Sequence, residues 1–205
     1  MTTRPPTSPR KHASQDRSRA TVDALVEATA RILVRDGFDK ASTNRIAEAA
    51  GVSVGSLYQY FPGKEALVAA VIARHQRALL DVVNVALEDV AEQPIAQAAH
   101  RLVAAAIAAH RLDPQLHRVL AEQTPHVGPL AEVATFNNDL YGLFRDYLER
   151  HRQALRPVDL DLAAFVCVTS IEALTHNAVI HRDLDDMAAE ALVNEGTRLV
   201  VSYLT

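Results

Sequence analysis

The stretch Ser42–Leu67, STNRIAEAAGVSVGSLYQYFPGKEAL, decides the fold. It reads as two short helices joined by a tight turn, with a third helix opening just after. Ser42-Thr43 supplies hydroxyl caps for the first helix, which the spacing predicts to run to Ala50. Gly51 stands where a left-handed backbone angle costs least. Ser53 caps the next helix, predicted to run through Phe61, and Pro62-Gly63 breaks it. This is the layout of a helix-turn-helix, in which one helix braces a second and presents it to the DNA major groove.

The residue types suit that task. Ala47 and Ala50 are small enough for a close corner, and Ile46, Val52 and Leu57 fill the pocket between the helices. Val54, Ser56, Gln59 and Tyr60 are expected to face outward, with Tyr58 near the edge. Ser53, Val54 and Gly55 let the backbone come close to DNA, and a helix N-terminus favours phosphate through its dipole and free N–H groups. Tyr58 and Tyr60 suit phosphate hydrogen bonds. Gln59 suits an adenine edge and Val54 a thymine methyl. Thr43, Arg45 and Lys64 complete the candidate DNA-binding set, Thr43 and Lys64 as phosphate partners. A short helix pair with this packing is also compatible with plain core scaffold.

Working outward, residues 1–16 read as a disordered tail rich in Pro, Ser, Thr and basic residues, in which Arg4, Arg10 and Lys11 could add phosphate contacts, as could Arg17 and Arg19 just after it. Residues 17–63 form the expected DNA-binding domain. Its first helix carries Val22, Leu25, Val26, Ile32 and Leu33 at helical spacing and ends at Gly37. Residues 64–205 form the expected second domain. It opens on a long helix from Lys64, followed by helices at about 95–111, 114–122, 125–155, 160–182 and 185–204, punctuated by Pro94, Pro114, Pro125, Pro129 and Pro157. The fold class is therefore all-α, with about nine helices and no strand pattern.

Bulk properties agree. Net charge is −4 over 205 residues, but residues 1–64 hold ten Lys/Arg against six Asp/Glu, a net +4, and the remainder holds a net −8. Phosphate binding needs a locally positive surface, not a positive whole. The single cysteine, Cys167, rules out an intrachain disulfide framework and reads as an inert core thiol. No uninterrupted apolar run approaches the ~18 residues of a membrane span, and the N-terminus lacks the apolar stretch of a secretory signal. A cytoplasmic protein with no membrane partner is expected. Nine histidines invite a metal reading, but no HExxH and no Cys/His cluster with ligand spacing occurs, so neither a metal nor another cofactor is expected. No nucleophile sits beside a base, which argues against an enzyme.

The pattern AxxAGVSxGxLYxYFxxKExL from Ala47 to Leu67 resembles the signature of the TetR family of bacterial transcription repressors. The likeness is specific over about residues 17–67 and weak beyond. It implies a homodimer of all-helical protomers, each with a three-helix DNA-binding domain and a larger helical domain enclosing a ligand pocket. It implies DNA contacts from Thr43, Ser53, Val54, Gly55, Tyr58, Gln59, Tyr60 and Lys64, with the operator sequence unspecified. A two-fold dimer would set two reading helices about 34–36 Å apart, one turn of DNA. The last two helices, with wide apolar stripes, are the expected dimer surface. The resemblance further implies release from a palindromic operator by a small molecule. Candidate pocket residues are His110, Phe136, Leu140, Phe144, Phe165, Thr169, Glu172 and His176, for each of which ordinary core is the plainer reading. A DNA-binding regulator with no small effector, and an all-α metal-dependent enzyme, are the alternatives.

Overall fold

The computed structural model describes residues 16–127, 131–181 and 184–205, with side chains for 18–122, 137–181 and 184–205. The basic tail, the side chain of Phe136 and the expectations placed on them lie outside the described residues. Among the described residues there are nine α-helices and no strand: α1 (Asp16–Lys40), α2 (Thr43–Ala50), α3 (Val54–Tyr60), α4 (Lys64–Asp89), α5 (Ile95–Arg111), α6 (Pro114–Val127), α7 (Ala131–Arg150), α8 (Leu160–His181) and α9 (Asp186–Leu204). One 3-10 turn, Arg152–Ala154, follows α7. The all-α expectation holds.

Most boundaries follow from local chemistry. Gly37 breaks α1 at φ 77°, and a single turn to Lys40 remains beyond it. Asp159 accepts from the Leu162 N–H at the start of α8, and Asp185 from the Ala188 N–H at the start of α9. One expectation fails: Pro125 does not start a helix, because α6 runs on to Val127.

The chain forms two compact units. The first comprises α1–α3, α4 as far as His75, and α6 from Gln115. Its core joins Leu25, Ile32 and Leu33 of α1 to Ile46 and Ala47 of α2, Leu57 of α3, Phe61, and Leu67, Val68 and Val71 of α4, with Leu120 of α6 added. His75 and His117 meet across α4 and α6, with ring nitrogens 3.0 Å apart. The unit is thus larger than the 17–63 segment that the sequence delimits.

The second unit comprises the rest of α4, α5, and the chain from Ala134 onward. Its main core gathers Leu87, Val90, Ile95, Ala98, Tyr147, Leu148, Ala163, Ala164, Cys167, Val200 and Leu204. Tyr147 donates its hydroxyl to the Gln93 carbonyl (3.0 Å) and His151 its Nε2–H to the Ala91 carbonyl (2.9 Å), tying α7 to the α4–α5 turn. α9 approaches α5 and α8 closely at Gly196, where a Cβ would meet Val103 at 3.0 Å and Ile171 at 3.2 Å. Cys167 is 2% exposed, and burial pushes its thiol up to about 12, so almost no reactive thiolate exists at neutral pH.

The expectation that no segment could span a membrane needs correction. α8 is long and apolar enough to do so by length and composition alone, and a third of its most apolar window is buried. Counting uninterrupted apolar residues missed it, because Asp161, Glu172 and His176 punctuate the helix without lowering its average much.

Candidate DNA-binding interface

The corner between α2 and α3 is built from backbone satisfaction outward. Ser42 is the N-cap of α2, its Oγ accepting from the Arg45 N–H, and Thr43 is the first helical residue rather than the cap. Gly51 closes α2 in the left-handed region (φ 68°, ψ 29°), with its N–H on the Ala47 and Glu48 carbonyls. Ser53 caps α3 and accepts from the Ser56 N–H at 3.0 Å, while the two serine hydroxyls lie 2.8 Å apart. Ile46, Ala47 and Leu57 are buried in the corner, and Ala50 and Val52 pack against them half-buried.

The outward face of α3 is short and polar. Gly55, Tyr58 and Gln59 are exposed, and Val54 and Ser56 are half-buried. A Cβ at Gly55 would touch only the Ser53 hydroxyl, at 3.8 Å, so open space lies over that backbone. The Tyr58 hydroxyl is 3.2 Å from the Thr43 hydroxyl, which joins the edge of α3 to the first turn of α2 and sets two hydroxyls side by side.

Three members of the candidate set sit otherwise than expected. Tyr60 is not outward: it is 8% exposed and belongs to the first unit's core. Three residues after Leu57 on a 3.6-residue turn, it shares that residue's inward face. Arg45 keeps a largely exposed side chain but has intramolecular partners, donating through one guanidinium nitrogen to Lys40 O (2.7 Å) and through the other to Asp36 Oδ2 (2.6 Å). Lys64 donates to Phe38 O at 2.9 Å, and its ammonium lies 3.9 Å over the Phe38 ring. Hydrogen bonding to Arg35 and the nearby Arg45 charge hold the Asp36 carboxyl below the usual range. Sequence reading missed Asp36, because nine residues and a kink separate it from Arg45 and no helical spacing pairs them.

In the second unit, the candidate pocket residues divide. His110 of α5 is buried, with its Nδ1–H on Ala106 O at 2.7 Å. Burial depresses its pKa, and His176 of α8 lies near enough to depress it further. Burial also lowers the pKa of His176 and raises that of Glu172, one turn earlier on α8. Thr169 pairs with the Tyr141 hydroxyl at 3.3 Å, and Tyr141 is a neighbour that sequence reading missed. Leu140 is buried, and Phe144 stacks on Tyr147 against the main core. Phe165 is 51% exposed, so it does not serve as an interior pocket wall. An open groove of about 640 Å³ lies elsewhere, between α4 and α7, lined by Asn84, Leu87, Glu88, Ala91, Leu143, Asp146, Glu149 and Arg150. It shares no residue with the candidate set. Among the described residues, no group of three or more His, Cys, Asp or Glu is placed to hold a metal ion.

A capped, seven-residue helix braced at a fixed corner, with a small polar outer face, defines the reader of a helix-turn-helix DNA-binding regulator. Comparison with known proteins narrows the class. Residues 25–71 match the model of bacterial regulatory proteins of the tetR family, and residues 94–204 match the tetracyclin repressor-like C-terminal domain. The chain belongs to the TetR family: it is a DNA-binding transcriptional regulator. Among curated relatives, it is 43% identical over 49 residues to the nucleoid occlusion factor SlmA of Actinobacillus pleuropneumoniae, which is 24% of each chain. It is 34% identical over 79 residues to an uncharacterized HTH-type transcriptional regulator of Mycobacterium tuberculosis, 38% of this chain and 39% of that one. The matches therefore span a quarter to two-fifths of those relatives' lengths. The fold as a whole is similar to the fatty acid degradation regulator FadR of Bacillus halodurans, with a TM-score of 0.69 at 18% identity over 93% of this chain and 96% of that one.

Proposed function

We propose that the protein is a homodimeric repressor that holds a palindromic operator through α3 and releases it when a small molecule binds the second unit. The observation that carries this reading is the exposed strip of Gly55, Tyr58 and Gln59 on a capped helix whose opposite face is locked by Leu57 and Tyr60. On this reading the paired hydroxyls of Thr43 and Tyr58, with Ser53, take phosphate. Gln59, Val54 and Ser56 face base edges, and Gly55 admits the sugar-phosphate backbone.

The dimer reading draws support from α8 and α9. Leu162, Phe165 and Leu174 of α8, and Met187 and Leu199 of α9, are large apolar side chains left exposed by a single chain. Apolar surface concentrated on two neighbouring helices is what a two-fold helical interface would cover. The effector reading draws support from the partly buried polar side chains His110, Glu172 and His176 within the second unit, whose charged forms burial disfavours: a ligand that favours one conformation shifts the DNA-competent population.

The test is a fluorescence-anisotropy titration of the full chain on duplexes from its own upstream region, at several salt concentrations. Affinity should prefer an inverted repeat and fall with salt by about 0.9 log unit per log unit of salt for each phosphate contacted. Binding that ignores both salt and symmetry overturns the reading. Gly55→Ala should leave folding unchanged and weaken every duplex. An unchanged affinity for that variant removes the close backbone approach.

A further inference from the structure

No lysine follows Lys64, and residues 65–205 hold eleven arginines against nineteen carboxylates, a net −8. In the second unit, Arg101 pairs with Asp89, Arg111 with Asp186, and Arg145 with Asp146 and Asp161. α8 carries neither lysine nor arginine. One flank of α8 nevertheless carries a carboxyl. Phe165, Thr169, Glu172 and His176 recur at i, i+4, i+7 and i+11, so they share a face of the helix. α7 meets the first half of this row: the Tyr141 ring lies 5.7 Å from that of Phe165, and its hydroxyl 3.3 Å from that of Thr169. α5 meets the far end, where His110 and His176 feel each other's charge. Glu172 lies between, half-buried. Its backbone carbonyl takes the Thr175 hydroxyl at 3.1 Å. Among the described residues, its carboxyl makes no hydrogen bond and no ion pair, and burial alone acts on its pKa. A second acceptor without a donor occurs in the same unit, the buried Oε1 of Gln76 on α4.

We propose that the small molecule of the second unit is an organic cation, an apolar or aromatic body bearing an ammonium group, held by a charge-assisted hydrogen bond to the Glu172 carboxylate. The inference deepens the ligand-released reading and rests on it. A carboxyl withdrawn from water without a partner is disfavoured in its charged form, and a cation brought beside it restores that form. Tyr141, held to Thr169 one turn before Glu172, offers an aromatic surface to the rest of the ligand. An anionic ligand is disfavoured by the same facts. It would meet the Glu172 carboxyl and two histidines whose charged forms burial disfavours, with no lysine or arginine on α8 to receive it.

Three probes with one body and three charges test the class: phenylbutylamine, phenylbutanol and phenylbutyrate. Each is titrated at neutral pH into the full chain, followed by melting temperature, and into the chain on its operator duplex, followed by anisotropy. The amine is expected to bind about tenfold more tightly than the alcohol, the scale of a charge-assisted hydrogen bond. The carboxylate should bind most weakly. Glu172→Gln should bring the amine down to the affinity of the alcohol and leave the alcohol unchanged. Without any probe, Glu172→Gln should melt no lower than wild type, because the carboxyl it replaces has no partner to lose. A lower melting temperature reveals an internal partner and overturns the proposal. So does a carboxylate that binds as tightly as the amine, an amine affinity unchanged in Glu172→Gln, or binding by none of the three. The operator titration keeps the two readings apart. An amine that binds through Glu172 without loosening the operator complex upholds the ligand class and removes the release reading. Release by the alcohol or the carboxylate alone upholds release and overturns the cation.

Discussion

The two compact units bury their apolar residues in different ways. In the first, the large side chains Leu25, Leu33, Ile46, Leu57, Phe61 and Leu67 are all fully buried, and each touches residues from other helices of the same unit. In the second, Tyr147, Leu148 and Leu204 are buried as deeply, but Leu162, Phe165 and Met187 remain outside. The first unit is finished as a single chain. The second leaves more of its large apolar side chains exposed. A reader helix must hold its geometry before it meets DNA, whereas a regulatory domain can complete its packing through a partner.

The sharpest way to break that contrast is to truncate one leucine in each unit. Leu57→Ala should cost about 2–5 kcal/mol of stability, since it opens a cavity in a fully packed corner, and should abolish operator binding. Leu162→Ala should stay within about 0.5 kcal/mol for the isolated chain. Equal losses in urea unfolding would show that the units are not built differently. Tyr60→Ala should likewise cost roughly 3 kcal/mol, whereas Tyr60→Phe should keep the fold. A Tyr60→Ala chain with normal melting and lost binding would return that ring to the DNA face.

Introducing a charge among the exposed apolar side chains of the second unit tests whether a partner covers them. Phe165→Glu should turn a dimer into a monomer in sedimentation velocity while helix content persists, and operator affinity should fall with it. A dimer that survives the substitution moves the interface elsewhere. A smaller and more selective effect is expected at Gln59→Ala. There, discrimination among duplexes should change by about 1–3 kcal/mol at one base pair, with little change in salt slope.

The mildest prediction concerns pH. His110 and His176 have pKa values lowered in the fold by burial. The unfolded chain then binds more protons than the native one below its ordinary histidine pKa near ~6.5, so stability falls as pH drops through that value. Glu172, raised by burial, acts oppositely in the window just above the ordinary carboxylate pKa, where rising pH removes stability. Calorimetry from pH 7 downward should show a melting point that declines near pH 6 and declines less in His110→Gln. A pH-independent melting point over that range would place both histidines in a solvated environment.

The reading corner was legible because its determinants are local. Caps at Ser42 and Ser53, a left-handed glycine at Gly51 and the Ile46–Leu57 contact are all written between Ser42 and Leu57. The candidate pocket was less so. Phe165 and Thr169 look equivalent on a helix as apolar all round as α8, and only packing leaves the Phe165 ring half outside against the Tyr141 ring while Thr169 meets the Tyr141 hydroxyl. The carbonyl partners of Arg45 and Lys64 were hidden for a similar reason: no spacing along the chain points to Lys40 O or Phe38 O.

From the order of its residues alone, this chain declares its helices, its turn and most of the strip of α3 that faces outward, Tyr60 excepted, since hydrogen-bond caps and glycine angles act over a few positions. Tertiary structure decided that Asp36 and the Phe38–Lys40 turn meet Arg45 and Lys64, and that α6 packs into the first unit. Those outcomes depend on which distant groups come within about 4 Å of one another, and no spacing along the chain encodes that distance.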